Sequence, residues 1–297
     1  MSQKQVIIIA GPTASGKTAA AIHIAKQFKT EIISADSRQC YKELNIGVAR
    51  PSEDELEEVK HHFIASHSIH EKITAADFEK YALQKADEIF RKNDKLVIVG
   101  GTGLYIKAFC EGMDEIPDVP EIIHHEVISS YRQDGLNWLQ EEVKRLDQKF
   151  YESGENKNPQ RLMRALEVFK STGRSILNFR KGVKAKRDFE IVKCAFELPK
   201  EELHRNINHR VDKMMEHGLL EEVRSLIPYQ HLNALQTVGY RELFDHFNGE
   251  TSLQDAIELI KRNTRQYAKR QMTWFRKDKQ IKWIRPGEYS IPDILFF

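Results

Sequence analysis

Four residues near the amino terminus, Gly11, Gly16, Lys17 and Thr18, stand at the spacing G-x-x-x-x-G-K-[ST], a pattern that cradles phosphate groups. Backbone N–H groups of such a loop and the positive end of the helix that follows point at an anion, Lys17 adds a charge, and Thr18 offers a hydroxyl to Mg2+. The candidate cradle is the whole run Gly11, Pro12, Thr13, Ala14, Ser15, Gly16, Lys17 and Thr18, of the nucleotide-binding kind that holds ATP in many proteins. The pattern leaves open whether the phosphate is transferred, hydrolysed or released.

A carboxylate lies in "IISADSRQCY", where Asp36 is followed by the hydrogen-bonding side chains Ser37, Arg38 and Gln39. Just past a strand of a parallel sheet, Asp36 would reach the carboxyl edge near the phosphate loop. A nucleotide hydrolase carries an acidic residue at the end of another apolar strand to hold magnesium. Here the run "KLVIV" passes instead into "GGTGLY", with Gly100, Gly101, Thr102 and Gly103. That ending weakens the reading as a motor ATPase or nucleotide kinase.

The elements that must position these residues alternate. Val6 to Ile9 form a β-branched run suited to a strand buried on both faces, and "EIISA", "KLVIVG" and "FEIVKCAFEL" read the same way. Between them lie helical segments such as Ala75 to Arg91. The expected fold is α/β, a parallel sheet core like that of the P-loop NTPases, with a helical carboxyl-terminal part. From Asp114 to about Arg187 the strand signals vanish, and Leu136, Leu139, Val143, Leu146 and Phe150 step three and four residues apart. A second helix opens at "NPQRLMRALEVF", with Asn158 as N-cap, Pro159 at the first helical position and Gly173 as the stop. The expected division is a catalytic core of residues 1–113 and 188–297 with a helical insertion of residues 114–187.

Taken in order, "GPTASGKT", "SADSRQCY", "NIGVARPS", "GGTGLYI", "NPQRLMRALEV", "TVGYREL" and "YAKRQMTWFR" resemble the tRNA dimethylallyltransferases of bacterial type along nearly the whole chain. The resemblance implies transfer of a five-carbon dimethylallyl group from dimethylallyl diphosphate to N6 of adenosine 37, beside the anticodon, with release of diphosphate. The phosphate in the loop is then the leaving group. By the same resemblance Asp36 is the base that takes the amine proton, Thr102 contacts the reacting ends, Arg210 joins the diphosphate cradle, and Mg2+ is the cofactor. The family usually shows Gly-Thr-Ala-Lys-Pro where this chain has "GVARP", so Val48 and Arg50 are departures, as are Cys40, Pro199 and Lys200.

An RNA partner must be argued from patches, because the formal net charge of the 297 residues is only +2. On a helix from Lys261 to Arg276, the residues Lys261, Arg262, Arg265, Lys269 and Arg276 fall in one arc of roughly 100°, opposite Ile260, Tyr267, Gln271 and Trp274. Trp274 and Phe275 are expected in the core, and Lys261, Arg265 and Lys269 on RNA phosphates. In the insertion, the resemblance brings Gln160, Arg161, Leu162, Met163 and Arg164 to the tRNA, together with Asp36 to Gln39. The acceptor is expected to be an anticodon stem-loop with its target base unstacked. A free adenine nucleotide as acceptor is the alternative, and a non-catalytic RNA-binding module a further one.

The three cysteines, Cys40, Cys110 and Cys194, form no C-x-x-C pair, which disfavours a disulfide framework. The spacing of His61, His62, His67 and His70 fits no zinc site. No signal peptide or bilayer-length run is visible, so the expectation is a cytoplasmic monomer with no membrane partner.

Overall fold

A computed structural model of the chain describes residues 3–287 and Ser290. It divides into two compact units, one formed by the residues up to Gly112 and from Lys186 onwards, the other by Met113–Ala185.

In the first unit, β1 (Gln5–Ala10) leads through the phosphate loop into α1 (Lys17–Gln27), β2 (Ile32–Ser34), α2 (Glu53–Glu58), the two-residue β3 (His61–His62), α3 (Ala75–Phe90), β4 (Lys95–Gly100) and α4 (Gly103–Glu111). The second unit holds α5 (Glu121–Leu146), α6 (Gln148–Glu152) and α7 (Pro159–Thr172). The chain then returns to the first with β5 (Glu190–Phe196), α8 (Lys200–Glu216), α9 (Leu219–Ser225), α10 (Tyr240–Phe247), α11 (Leu253–Phe275) and β6 (Lys282–Ile284).

All six strands are parallel, in the order β3-β2-β4-β1-β5-β6. Alternation along β1 explains its unbroken apolar run. Val6, Ile8 and Ala10 join a core with Phe78 and Phe109 on one face, whereas Ile7 and Ile9 pack with Ala21, Ile24 and Ala25 of α1 on the other. Each such buried aliphatic side chain contributes roughly 1.5–3 kcal/mol, so the strand's position is strongly fixed. Ala10 pairs with Gly100 and Ala195, and Ser34 with Val99. The loops after β1, β2 and β4 therefore leave one edge of the sheet together, where ligands of open α/β sheets bind. β3 gives no periodic signal at two residues and escapes the sequence reading.

Within the helical unit, Leu139, Val143 and Phe150 are buried with Leu162, Ala165, Leu166 and Val168 of α7. The apolar stripe from Leu136 is the second half of a longer α5, which is broken at Gly135 (φ 75°, ψ −166°). Asn158 caps α7 by accepting from the Arg161 N–H, Pro159 is its first residue, and Gly173 ends it at φ 67°.

Gly100 admits no side chain, because a Cβ there would overlap the backbone carbonyl of Ala35. Gly100→Ala is expected to destabilise the first unit by about 1–3 kcal/mol through overpacking, read as a lower midpoint in urea unfolding; an unchanged midpoint would show that the β2 and β4 ends can separate freely.

Candidate active site

The phosphate loop is held from outside as well as shaped from within. Gly16 precedes α1 with φ 82°, a left-handed conformation that glycine adopts without penalty. Ala14 is also left-handed, at φ 62°, a conformation that disfavours a non-glycine residue by about 1–2 kcal/mol. Its methyl group is buried with Leu203 and Ile207 of α8 and Ala268 of α11, which offsets that strain. Ser15 is 2% exposed, and its Oγ has no hydrogen-bond partner among the described residues. A buried hydroxyl without a partner in an anion-binding loop fits donation to a phosphate oxygen.

Two cations meet at this loop. Lys17 Nζ donates to the Pro12 carbonyl at 3.1 Å, and Arg210 of α8 donates to Thr13 Oγ1 at 3.2 Å. Burial, then the charge of Arg210, push the Lys17 ammonium down to about 8, opposed by Asp36. Burial likewise lowers the Arg210 guanidinium, opposed by Glu55 and Asp36. Lys17, Arg210 and Asp36 are thus electrostatic neighbours, and a bound diphosphate would relieve the repulsion between the two cations.

Asp36 lies two residues past β2. Its Oδ1 accepts from the N–H groups of Arg38 at 2.8 Å and Gln39 at 3.2 Å, and its Oδ2 has no partner among the described residues. Thr102, two residues past β4, accepts from the Ser37 N–H at 3.1 Å and donates to the Ser37 hydroxyl at 3.4 Å. The edge therefore brings together the cradle, Arg210, Asp36, Ser37, Arg38 and Thr102. Gln39 is directed inward instead: it accepts from Ser34 Oγ and donates to the carbonyls of Val48 and Ala49, so its amide fastens a turn rather than facing a ligand.

The same turn accounts for the departures from the family pattern. Arg50 donates to the carbonyls of Tyr41, Lys42 and Leu44, while Cys40 is fully buried. Glu222 accepts from the N–H groups of Asn45, Ile46 and Gly47 and from the Tyr240 hydroxyl. Nothing in the structure explains Pro199 and Lys200 beyond their place at the start of α8.

Several expected RNA contacts are corrected. Leu162 and Met163 are 0% and 7% exposed in the core of the helical unit, because the face of α7 that they share packs against α5. Gln160 and Arg161 are exposed, the latter paired with Glu155, and Arg164 bonds to the Pro117 carbonyl and lies 3.6 Å from Glu167. On α11, Lys261 is 14% exposed between Asp212 and Glu258, so its charge is already neutralised. Arg265 donates to Asn208, and Arg276 pairs with Glu197. Arg262, Lys269 and Arg270 are exposed. Phe275 is buried, but Trp274 is 37% exposed and lies against Gly103 rather than in the core.

Two site residues escaped the sequence reading as anything but core. Gln271 connects the loop after β1 with the turn after β4. Tyr267 lies beside Thr102, and burial followed by the Asp36 charge pushes its hydroxyl up to about 12. Both sit on the apolar stripe of α11, where spacing alone cannot separate a packing residue from a polar clamp.

No group of three or more His, Cys, Asp or Glu side chains able to hold a metal occurs among the described residues. Mg2+ does not need one, since it usually takes few protein ligands and completes its shell with substrate phosphates and water. Thr18, half-buried in the first turn of α1, is a hard oxygen donor in the right place for that mode.

A phosphate loop on a parallel sheet, with Asp36 at the same edge, is the site of a phosphate-binding α/β protein. The profile of the IPP transferase family matches residues 39–278. The chain is 44% identical to the tRNA dimethylallyltransferase of Cytophaga hutchinsonii over 97% of its own length and 94% of the relative's, and 47% identical to that of Christiangramia forsetii over 96% and 94%. Among solved structures, the full-length tRNA isopentenylpyrophosphate transferase from Bacillus halodurans is similar at 33% identity and a TM-score of 0.70, covering 98% of this chain and 92% of that one. A eukaryotic dimethylallyltransferase acting on tRNA is similar at 26% identity and a TM-score of 0.76, over 98% and 76%. The chain belongs to the IPP transferase family.

Lys17 with its lowered pKa gives a test of the cradle. Binding of inorganic diphosphate needs the charged ammonium, so affinity should fall as pH rises through about 8. Lys17→Arg, whose cation does not titrate there, should show a shallower fall in calorimetric titrations at the same pH values; identical slopes would remove Lys17 from the anion site.

Proposed function

We propose that this chain, acting as a cytoplasmic monomer, transfers the dimethylallyl group of dimethylallyl diphosphate to N6 of adenosine 37 in a tRNA anticodon stem-loop and releases diphosphate. The observation that carries the reading is a cationic phosphate cradle sharing one sheet edge with Asp36, while β4 runs through Gly100 into Gly101 and Thr102 with no acid. The named activity of the relatives supports RNA over a free adenine nucleotide as the acceptor.

The C–O bond at the allylic carbon breaks as the N6 lone pair forms a C–N bond. Negative charge then grows on the departing diphosphate, where Lys17, Arg210, the Ser15 hydroxyl and the N-terminus of α1 stabilise it. Bound Mg2+ at Thr18 would add Lewis-acid stabilisation of the same charge. The adenine amine becomes acidic as the new bond forms, and the free Oδ2 of Asp36 receives its proton while the two N–H groups on Oδ1 hold the carboxylate in place. Thr102, tied to the Ser37 backbone, keeps the β4 turn against the Asp36 segment. For RNA, the exposed groups are Gln160 and Arg161 in the helical unit and Lys269 with its neighbours Arg262 and Arg270 on α11, joined by the half-buried Ser37 and Arg38.

With an anticodon stem-loop, dimethylallyl diphosphate and Mg2+, the protein should add the five-carbon group, detected as a mass increase of the RNA. Asp36→Asn should lower kcat by about 10²–10⁴-fold with RNA affinity retained; a variant at native rate would exclude Asp36 as the base. Replacing Lys269 and Arg270 together with Gln should reduce the salt slope of RNA binding by about 1.5, whereas Lys261→Gln should leave it near native because that charge is already paired.

A further inference from the structure

One buried amide joins the two halves of the site. Gln271 of α11 is 6% exposed. Its side-chain oxygen accepts from the Thr13 N–H at 2.9 Å, and its amide nitrogen donates to the Gly101 carbonyl at 2.9 Å. Thr13 belongs to the diphosphate cradle, and Gly101 directly precedes Thr102. The sheet cannot set the distance between them, because β1 and β4 pair only as far as Ala10 with Gly100. Beyond that point, the side chain of Gln271 is the bridge. Gly101 is adapted to it, since a Cβ there would overlap the Gln271 amide nitrogen. One turn earlier on the same helix, Tyr267 lies beside Thr102 and within the field of Asp36.

We propose that Gln271 is a positioning residue that sets the separation between the diphosphate cradle and the turn bearing Thr102, and through it the separation between leaving group and acceptor amine. This rests on the prenyl-transfer reading of the site. Gln271 occupies the Thr13 N–H itself, so that donor is withheld from the diphosphate. Its loss should therefore lower kcat more than it weakens substrate binding. An amide is the side chain that accepts on one side and donates on the other. A carboxylate could accept from Thr13 but would set a second oxygen against the Gly101 carbonyl, whereas a protonated carboxyl group would restore both bonds.

The full-length native protein, Gln271→Leu and Gln271→Glu are compared in prenyl transfer to the stem-loop between about pH 5.5 and 8.5, a span around the carboxyl, His and lowered Lys ranges. The charged and titratable groups coupled around the bridge are Lys17 and Arg210 at the cradle with Glu55 facing Arg210, Asp36 and Arg38 after β2, and Tyr267 and Arg270 on α11; all are shared with the native chain, so the ratio of variant to native kcat removes their titration. Gln271→Leu is expected to lose on the order of 10²-fold in kcat, with KM for dimethylallyl diphosphate within about threefold. The Gln271→Glu ratio should rise at least tenfold, roughly, as pH falls, because protonation of the introduced carboxyl restores the bridge.

A double-mutant cycle guards against unfolded variants. Gly101→Ala should be harmful in the native background and nearly without further effect beside Gln271→Ala, whose shorter side chain leaves room for the methyl group. Native kcat and KM in Gln271→Leu, or a flat Gln271→Glu ratio together with additive losses in the cycle, would overturn the proposal. Absence of turnover by the native chain would instead overturn the reading of the function itself, a different result from native turnover with a flat ratio.

Discussion

Two positive side chains held together at a partly buried loop are the constraint on which the rest of the structure depends. Lys17 and Arg210 repel, and each is also disfavoured as a cation by burial. Left to itself, a chain would relax such a pair by turning one side chain to solvent. Here Arg210 is fixed by α8 and its bond to Thr13, and the loop is fixed by the burial of Ala14 against α8 and α11. The scaffold therefore holds a positive field at the site before any anion arrives, which is the condition for stabilising charge as it develops.

Holding that field in one place explains why the carboxyl-terminal helices belong to the catalytic unit. The sheet brings the loops after β1, β2 and β4 to one edge, but it specifies them only up to the last ladder pair. Asp36, Ser37 and Thr102 are joined by their own backbone and hydroxyl bonds, whereas the phosphate loop would be independent of them without α8 and α11. The cradle and Asp36 are thus attached separately, although Asp36 remains within the field of Lys17 and Arg210.

What could be read from the sequence was what is encoded locally. The glycine spacing of the loop, the β-branched runs, the N-cap and stop of α7, and an Asp just past a strand each depend on a few adjacent residues and the structure shows them where expected. Gln271 reaches Thr13 across 258 positions and Gly101 across 170, and Glu222 holds a turn 175 to 177 positions away. No local pattern reports such pairings. The charged face of α11 misled for a related reason. Asp212 of α8 and Glu258 of the same helix meet Lys261, and Glu197, just past β5, meets Arg276. Counting one helix's charges omits the partners supplied by packing. In α7, Leu162 and Met163 stand inside a motif that also contains the exposed Gln160 and Arg161; motif membership says nothing of which face a residue occupies, and helical periodicity does.

The glycines of "GGTG" show how a sequence feature acquires its meaning only from these distant contacts. Gly100, Gly101 and Gly103 are not marked as left-handed positions; each lacks a side chain because something else needs the space, the Ala35 backbone, the Gln271 amide and the Trp274 indole respectively. The turn is thus pressed by the residue that follows β2 and by the last two turns of α11. Thr102 sits inside that compression as the one residue there with a side chain, and its hydroxyl is directed at Ser37.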